Sequence, residues 1–378
     1  MPPRRILIAV GTRPEAVKLA PVIRRLRKEP GRFETIVCAT AQHRDMLDQV
    51  LALFEIAPDV DLDLMRADQA PNEVASRAFA ALDRVLADYP PDWLLVQGDT
   101  TTAMCAAVAA FHRRVRVGHV EAGLRTRDLH QPFPEEMNRR VVDLVAHAHF
   151  VPTERAAQAL RAEGVPEDRI HRTGNTVVDA LLQIAEGQGE LTPEDLVLVT
   201  AHRRESFGAP LAAVVSAVGR LAREFPKFRF IHVVHPNPNV RAALSGYRDL
   251  PNVELVEPLD YRSLVSLMRR SRLILTDSGG IQEEAPTFGK PVLVLRRKTE
   301  RPEGIEAGLA RLVGTDEDRI VEEAGRVLRG TSDLARAARV ANPYGDGRAS
   351  ERIAAILAEL PYEPFEAVSS GTAVVAPG

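Results

Sequence analysis

Short apolar, β-branched stretches alternate with helical segments along nearly the whole chain of 378 residues. Strands that are apolar on both faces are typical of parallel sheets covered by helices on both sides. Helical periodicity is clearest in 14–28, 71–88 and 134–146. The stretches that predict strands are 4–10, 34–40, 92–97, 115–120, 148–152, 195–200, 228–234, 252–257, 272–277 and 290–295. The alternation therefore predicts an α/β protein with parallel sheets flanked by helices.

The rhythm of strand and helix runs through the chain twice, and 378 residues exceed what one hydrophobic core usually sustains. We expect two Rossmann-like domains, at residues 1–170 and 171–347. A helix at 348–360 is expected to pack back on the first domain, and the small-residue segment 361–378 to be a loose tail. In sheets of this kind ligands bind beyond the carboxyl ends of the strands, so functional residues are expected in the loops that follow strands.

Charge and apolar patterning limit the classes of partner. The formal net charge of −3 provides no basic field for nucleic acid. Cys38 and Cys105 lie among apolar or small residues, which indicates reduced core thiols. The apolar run after the basic start "MPPRRILIAV" ends after about six residues, and no segment approaches the roughly 18 apolar residues of a membrane span. We expect a soluble, cytoplasmic protein that binds anions through local clusters.

Two strand-end loops of the first series carry charged side chains. In "VGTRPEAVKLAP", Arg13 and Lys18 lie where they would hold a phosphate, or they are solvated cations of an ordinary turn. In "LLVQGDTTT", Asp99 either caps the following helix or faces the ligand site. Neither loop is a phosphate-binding P-loop or a dinucleotide fingerprint, so each leaves both interpretations open.

Two loops of the second series have the character of an anion site. In "VTAHRRESFG", His202 is placed to neutralise or protonate a diphosphate, or it belongs to a charged surface loop. In "LTDSGGIQEEAP", the glycines at a helix start let backbone N–H groups approach phosphate oxygens. Glu284, rather than Glu283, is expected to bind ribose hydroxyls, and the alternative is a glycine turn with solvated glutamates. This stretch favours a nucleotide ligand.

The run "HVEAGLRTRDLHQPFPEEMNRR", residues 119–140, is unusually rich in charge. The run is typical either of a charged surface loop or of a site that binds an anion and moves protons through Glu121 and Glu135. A helix is expected from Pro134, with an apolar stripe that predicts a buried face, formed by Met137, Val141, Leu144 and Val145. The histidines of this region lack a third ligand at a suitable spacing, so we expect no metal site.

Taken together and in order, these motifs resemble the non-hydrolysing UDP-N-acetylglucosamine 2-epimerases of bacteria and archaea, over roughly residues 11–304. The resemblance implies a GT-B-like fold with the active site in the cleft between two domains, and no cofactor. It also implies interconversion of UDP-GlcNAc and UDP-ManNAc. We expect the chain to form a homodimer. The stretches that carry the resemblance are "GTRPEAVKLAP", "AQHRDMLDQVL", "QGDTTT", "HVEAGLRT", "PFPEEMNRR", "AHRRES", "TDSGGIQEEAP", "GKPVL" and "TERPEG".

The resemblance also implies roles for individual residues. The acid/base and catalytic-site residues fall on Asp99, Glu121, Glu135 and His202. The UDP contacts fall on Arg13, Lys18, Ser278, Gly279, Gly280 and Glu284. Some members bind a second, activating UDP-GlcNAc, and the matching positions are Gln42, His43, Arg203 and His235. Asp45 and Asp68 stand where those members have glutamine and arginine, which counts against activation by substrate.

The chemistry implied is elimination of UDP across C1 and C2 of the sugar, followed by re-addition with inversion at C2. We expect Glu135 or Asp99 to act on one face of C2 and Glu121 on the other, an order that the sequence leaves open. Rival functions are a GT-B glycosyltransferase, a hydrolysing epimerase, and an epimerase of a UDP-2,3-diacetamido uronic acid. A non-catalytic nucleotide-sugar sensor is a further alternative.

Overall fold

The computed structural model describes residues 2–40, 44–64, 69–201, 208–235, 237–247, 249–334 and 340–367. The chain folds as two units, each built around its own parallel sheet. The first unit comprises Met1–Ala180 and Gly345–Glu366, and the second comprises Leu181–Tyr344. The two parallel sheets with flanking helices confirm the predicted fold class.

The first unit holds a seven-stranded parallel sheet of order β3-β2-β1-β4-β5-β6-β7. The direction of chain progress reverses between β1 and β4, so the loops that follow these two strands are neighbours at the carboxyl edge of the sheet. The strands are β1 (Arg4–Val10), β2 (Phe33–Ala39), β3 (Val60–Asp61), β4 (Trp93–Gln97), β5 (Arg116–Val120), β6 (Ala148–Val151) and β7 (Ile170–Arg172).

Helices of the first unit cover this sheet and complete its core. Their bounds are α1 (Arg13–Arg27), α2 (Arg44–Leu53), α3 (Pro71–Asp88), α4 (Thr101–His112), α5 (Glu135–Val145) and α6 (Glu154–Ala162). A further helix, α7 (Thr176–Glu186), begins in the first unit and continues into the second. Cys38 on β2 and Cys105 on α4 are free thiols in the same apolar core. Burial raises the pKa of each thiol to about 12, so both stay protonated at neutral pH.

The second unit has a six-stranded parallel sheet of order β10-β9-β8-β11-β12-β13, with its reversal between β8 and β11. Its strands are β8 (Leu196–Thr200), β9 (Arg229–Val233), β10 (Val253–Val256), β11 (Leu273–Thr276), β12 (Val292–Val294) and β13 (Ala310–Leu312). Its helices are α8 (Ala209–Glu224), α9 (Pro238–Ala243), α10 (Tyr261–Arg270), α11 (Gly279–Glu284), α12 (Glu303–Glu306) and α13 (Glu317–Leu328). Short 3-10 turns occupy Glu167–Arg169, Leu244–Tyr247 and Ala285–Phe288.

The last helix, α14 (Ala349–Leu357), belongs to the first unit and packs on α1. The Asp179 carboxylate accepts hydrogen bonds from the backbone N–H groups of Ala349 (3.2 Å) and Ser350 (2.8 Å). Because Asp179 binds α14 and β7 pairs with β6, the first unit extends to Ala180 rather than ending at the expected residue 170.

Helix α5 is polar on its buried side, contrary to the apolar stripe that the sequence predicts to be buried. Leu144 is 84% exposed and Met137 is 38% exposed. Its buried positions instead include Glu136, Asn138, Arg139 and Asp143. The reason is tertiary, because these side chains bind the loops at the ends of β4 and β5. No helix within the described ranges combines the length and the apolar character needed to cross a bilayer.

Candidate active site

Glu121 follows β5 in a strained backbone conformation, with a φ of +64° that is uncommon for a residue other than glycine. Its carboxylate is nearly buried and accepts hydrogen bonds from three described side chains: Lys18 of α1, Gln97 of β4 and Asn175. Donors around a carboxylate stabilise its charged form. The surroundings of Glu121 therefore favour an ionised side chain in a fixed orientation.

Lys18 takes part in this cluster through its ammonium group, which forms an ion pair with Glu121 Oε1. The side chain of Lys18 is 12% exposed and that of Glu121 is 6% exposed, so water screens the pair only weakly. The resemblance implies that Lys18 contacts UDP, whereas the structure places its ammonium group on the Glu121 carboxylate.

Asp99 lies in the turn after β4, where Gly98 adopts a φ of +70°. Its carboxylate accepts a hydrogen bond from the Arg139 guanidinium, and its backbone carbonyl accepts one from Asn138 Nδ2 at 3.0 Å. Both donors are on α5. The capping interpretation of Asp99 is wrong, because the N-cap of α4 is Thr100, whose hydroxyl accepts from the Ala103 N–H at 3.0 Å. The Asp99 side chain thus lies just after β4, in an ion pair with Arg139 rather than at the cap of α4.

A buried histidine that the sequence did not single out as functional connects α5 to this turn. His119 Nδ1 lies 2.6 Å from Asp143 Oδ1, and its Nε2 lies 2.8 Å from the carbonyl oxygen of Gly98. Burial alone would raise the pKa of Asp143, but its contacts with His119 and Arg125 outweigh burial and lower the pKa to about 2. Asp143 is therefore ionised at neutral pH and fixes His119 against the residue that precedes Asp99.

Glu135 and Glu136, adjacent in the first turn of α5, have opposite surroundings. Glu136 is fully buried and accepts hydrogen bonds from the backbone N–H groups of Thr126 and Arg127, both at 3.1 Å. Glu135 Oε2 is also buried, yet it has no hydrogen-bond partner among the described residues. Glu136 thus has a structural role, whereas Glu135 keeps a buried acceptor that no described residue satisfies.

Glu15 joins the loops that follow β1 and β4, a function that the sequence did not reveal. It is 3% exposed and accepts from the backbone N–H groups of Gly11 (2.8 Å) and Thr12 (2.6 Å) and from the Thr100 hydroxyl (2.6 Å). Burial raises its pKa. The capping pattern of Thr12 and Glu15 was the available signal in the sequence. Arg13 follows this turn as an exposed residue at the start of α1.

In the second unit, Ser278–Gly280 lie after β11, where α11 begins. A Cβ atom placed on Gly279 would lie 2.7 Å from Arg301 Nη1, so the guanidinium packs directly against this backbone. Arg301 also donates to Glu283 at 2.6 Å. Glu284, by contrast, places its Oε1 atom 3.5 Å from the corresponding Cβ position of Gly280. The geometry leaves Glu283 to the ion pair and puts Glu284 beside the glycine turn.

The remaining candidate residues are either outside the described part of the chain or on the second unit. Gln42, His43, Asp68, His202 and Arg203, like the side chain of Asp45, lie outside the described residues. His235 is exposed after β9, where its Nδ1 accepts from the Asn237 N–H at 3.2 Å. Within the described ranges, no group of three or more His, Cys, Asp or Glu side chains is arranged to hold a metal ion.

Two doubly wound units, one with carboxylates and the other with a glycine turn and arginine at the strand ends, define a protein of the GT-B-like class. The family model for UDP-N-acetylglucosamine 2-epimerase matches residues 24–358. The chain therefore belongs to the UDP-N-acetylglucosamine 2-epimerase family, whose members are isomerases. This membership confirms the resemblance drawn from the ordered motifs.

Individual relatives agree with the family model. The UDP-N-acetylglucosamine 2-epimerase of Salmonella typhimurium is 48% identical over 365 residues, which cover 92% of this chain and 97% of the relative. The crystal structure of the Neisseria meningitidis UDP-GlcNAc 2-epimerase bound to UDP-GlcNAc is 43% identical, with a TM-score of 0.86 over 94% of this chain and all of that one. The Methanocaldococcus jannaschii enzyme in complex with UDP-GlcNAc and UDP is 30% identical, with a TM-score of 0.79 and coverage of 94% and 99%.

Proposed function

We propose that this protein interconverts UDP-GlcNAc and UDP-ManNAc without hydrolysis, and so supplies an N-acetylmannosamine donor for cell-surface polysaccharide. The observation that carries the proposal is a set of three carboxylates of the first unit, two that follow strands and one in the first turn of α5. Glu121 is fixed by donors, Asp99 is held by Arg139, and Glu135 has a buried acceptor without a partner among the described residues. A relative bound to UDP-GlcNAc supports the choice of substrate.

Elimination is the route that this set of groups fits best. The C2–H bond of the sugar is not acidic while C1 carries no carbonyl. Cleavage of the C1–O bond to UDP must therefore precede removal of the C2 proton, or be further advanced than it in the same step. As the C1–O electron pair leaves with UDP, C1 gains oxocarbenium character and C2–H becomes acidic. A carboxylate then takes the proton, and 2-acetamidoglucal and UDP result. Protonation of the other face of C2 and return of UDP to C1 give the epimer.

The residues divide between the two halves of this chemistry. Stabilisation of the departing diphosphate falls to Arg13, to His202 and to the N–H groups of Ser278–Gly280. Proton transfer at C2 needs a group on each face. We assign one face to Glu121, which is held as an anion, and the other to Glu135 or Asp99. Glu284 beside the glycine turn is assigned to the ribose hydroxyls.

The test is incubation of the purified chain with UDP-GlcNAc in deuterium oxide, followed by proton NMR. The expected result is a mixture of UDP-GlcNAc and UDP-ManNAc with deuterium at C2 and no requirement for an acceptor. Free N-acetylmannosamine would instead identify a hydrolysing epimerase. Turnover only with an acceptor would identify a glycosyltransferase. Inertness toward UDP-GlcNAc, with turnover of a UDP-2,3-diacetamido uronic acid, would identify the related epimerase.

We further propose that the chain forms a homodimer, supported by the exposed apolar residues of α5. Leu144 is 84% exposed, and Phe133 just before the helix is 68% exposed. Exposed apolar patches are typical of interfaces, and two-fold homodimers are the commonest soluble oligomers. Light scattering after size exclusion should give twice the chain mass, reduced to one chain by Leu144→Lys but not by Leu360→Lys, a control at another exposed leucine. A monomeric wild-type chain would contradict the proposal.

A further inference from the structure

The side chain of Asn175 uses its two ends for two different tasks. It is 2% exposed and lies immediately before α7. Its Oδ1 accepts from the Val177 N–H at 3.0 Å, which satisfies an N–H group of the first turn of that helix. Its Nδ2 donates to Glu121 Oε1 at 3.0 Å. Rotating the amide by 180° would place Nδ2 against the Val177 N–H and an oxygen against the carboxylate, so the helix cap fixes the donor toward Glu121.

We propose that Asn175 is a positioning residue for the reaction, which fixes the orientation and the charge of the Glu121 carboxylate through a single neutral hydrogen bond. The inference rests on the proposed function, because it takes Glu121 as a group that exchanges a proton with C2. It assigns no contact between Asn175 and the substrate.

Lys18 and Gln97, which also donate to Glu121, do not make Asn175 redundant. Lys18 and Asn175 both bind Oε1, whereas Gln97 binds Oε2. Lysine has a flexible side chain and donates as a point charge, so it supplies attraction without fixing the plane of the carboxylate. Asn175 and Gln97 are both buried amides, and they lie on separate elements of the fold. Together they hold both oxygens, and misplacement of a catalytic group by about 1 Å costs on the order of 100-fold in rate.

The backbone at Asn175 is itself fixed. Thr173, two residues earlier, donates its N–H to the carbonyl oxygen of Val151 at 3.0 Å, which ties the segment to the end of β6. Gly174 has a φ of +82°, and a Cβ atom there would lie 3.3 Å from the Cα atom of Gly345. A Cβ atom on Gly345 would in turn lie 3.2 Å from the Asn175 carbonyl oxygen. Because the chain is packed on both sides, the amide has a defined origin from which to reach Glu121.

The experiment separates the cap from the donor. Asn175→Ser keeps an oxygen that caps α7 but lacks the amide nitrogen that reaches Glu121. Asn175→Asp keeps the shape and the cap but sets a second carboxylate against Glu121. Thr153→Ala is the matched control, because Thr153 caps α6 in the same unit through the Ala156 N–H and is not part of the proposed active site.

For Asn175→Ser we expect kcat to fall about 10- to 100-fold with KM nearly unchanged, the range for loss of a hydrogen bond to a charged group. We also expect the acidic limb of the kcat profile to move to higher pH, because one donor that favours the ionised carboxylate is gone. Of the described groups that contact Glu121, Lys18 carries a charge, whereas Gln97 and Asn175 are neutral. Asn175→Asp should lower kcat further and move the limb further, and Thr153→Ala should lower the melting temperature while leaving both readouts unchanged.

Each outcome decides one question. Wild-type kcat and an unmoved acidic limb in Asn175→Ser would overturn the inference. Loss of turnover that matches loss of folded protein, with the same loss in Thr153→Ala, would show a structural role only and would also overturn it. A wild-type chain that neither epimerises UDP-GlcNAc nor exchanges its C2 proton would overturn the proposed function instead.

Discussion

The end of β5 and the first turn of α5 each present a glutamate, and the two differ in how the protein treats the carboxylate. Glu121 meets three described donors and adopts a strained backbone conformation. Glu135 lies in an ordinary helical turn with one buried oxygen that no described donor reaches. The difference teaches that one carboxylate is held by several donors, whereas the other keeps an oxygen that the described residues leave without a donor.

The pair is consistent with two-faced chemistry at one carbon. A fixed anion needs no rearrangement before it accepts a proton, since its donors already stabilise the charge. A buried oxygen without a donor costs free energy in the free protein, and that cost is recovered when a protonated or polar group approaches. The same 22-residue run therefore supplies two glutamates in different hydrogen-bond surroundings.

Glu121→Gln should have the largest effect, a fall in kcat of about 1000-fold, because positioned acid/base groups contribute roughly 100- to 10,000-fold. It should also lower the free energy of unfolding, since Lys18 loses its buried partner. Epimerisation kinetics and denaturant unfolding measure both. Wild-type turnover in this variant would remove Glu121 from the site.

Glu135→Gln should lower kcat by about 100-fold yet leave the free energy of unfolding within about 0.5 kcal/mol of the wild type. The reason is that Glu135 Oε2 has no hydrogen bond among the described residues to lose. The same two assays measure these effects. Glu136→Gln is the control for stability, because it alters the buried hydrogen bonds from Thr126 and Arg127 and should lower the free energy of unfolding. Equal destabilisation by the Glu121 and Glu135 variants would break the comparison.

Lys18→Gln should lower kcat by about 10-fold and change inhibition by UDP little, because its ammonium group lies on Glu121. Competition by UDP and turnover, measured side by side, separate this effect from a direct contact with the nucleotide. Strongly weakened UDP binding with unchanged kcat would assign Lys18 to UDP, as the resemblance implies.

Asp143→Asn should have the smallest effect on turnover, a few-fold, but a clear effect on stability. The pKa of Asp143 is lowered to about 2 from its ordinary 3.8 by His119 and Arg125, against the effect of burial. A carboxyl with a depressed pKa stabilises the fold above its unfolded pKa and loses that contribution as pH falls toward 2. We expect a deficit of about 2 kcal/mol at pH 7 that shrinks between pH 4 and pH 2, measured by denaturant unfolding.

Asp179→Asn provides a control of opposite sign. Burial raises the pKa of Asp179 to about 6, so its carboxyl stabilises the fold fully below pH 3.8 and loses that contribution as pH rises through about 6. The free energy of unfolding of the wild type, relative to that of Asp179→Asn, should therefore fall between pH 4 and pH 6. A deficit for Asp143→Asn that does not change with pH would show that its ionisation is not what ties α5 to β5.

Much of the fold was predictable because buried parallel strands are apolar along their whole length. All ten predicted strands are present, each within two residues of its expected bounds. Three were missed: β3 has two residues, and β7 and β13 have three each, too short for a pattern. The prediction that the apolar stripe of α5 is buried was wrong. Periodicity shows only which face is apolar, whereas hydrogen bonds to two loops decide which face of this helix is buried.

The sequence by itself determined where the candidate site residues lie, since motif order and residue type suffice to place Asp99, Glu121 and Ser278–Gly280 after their strands. Only the tertiary structure decided how the carboxylates differ, because the donors come from positions far apart in the chain. Lys18 and Asn175 lie 157 residues apart, yet both bind one oxygen of Glu121. A hydrogen bond depends on distance and direction in space, and the folding of the sheet fixes both.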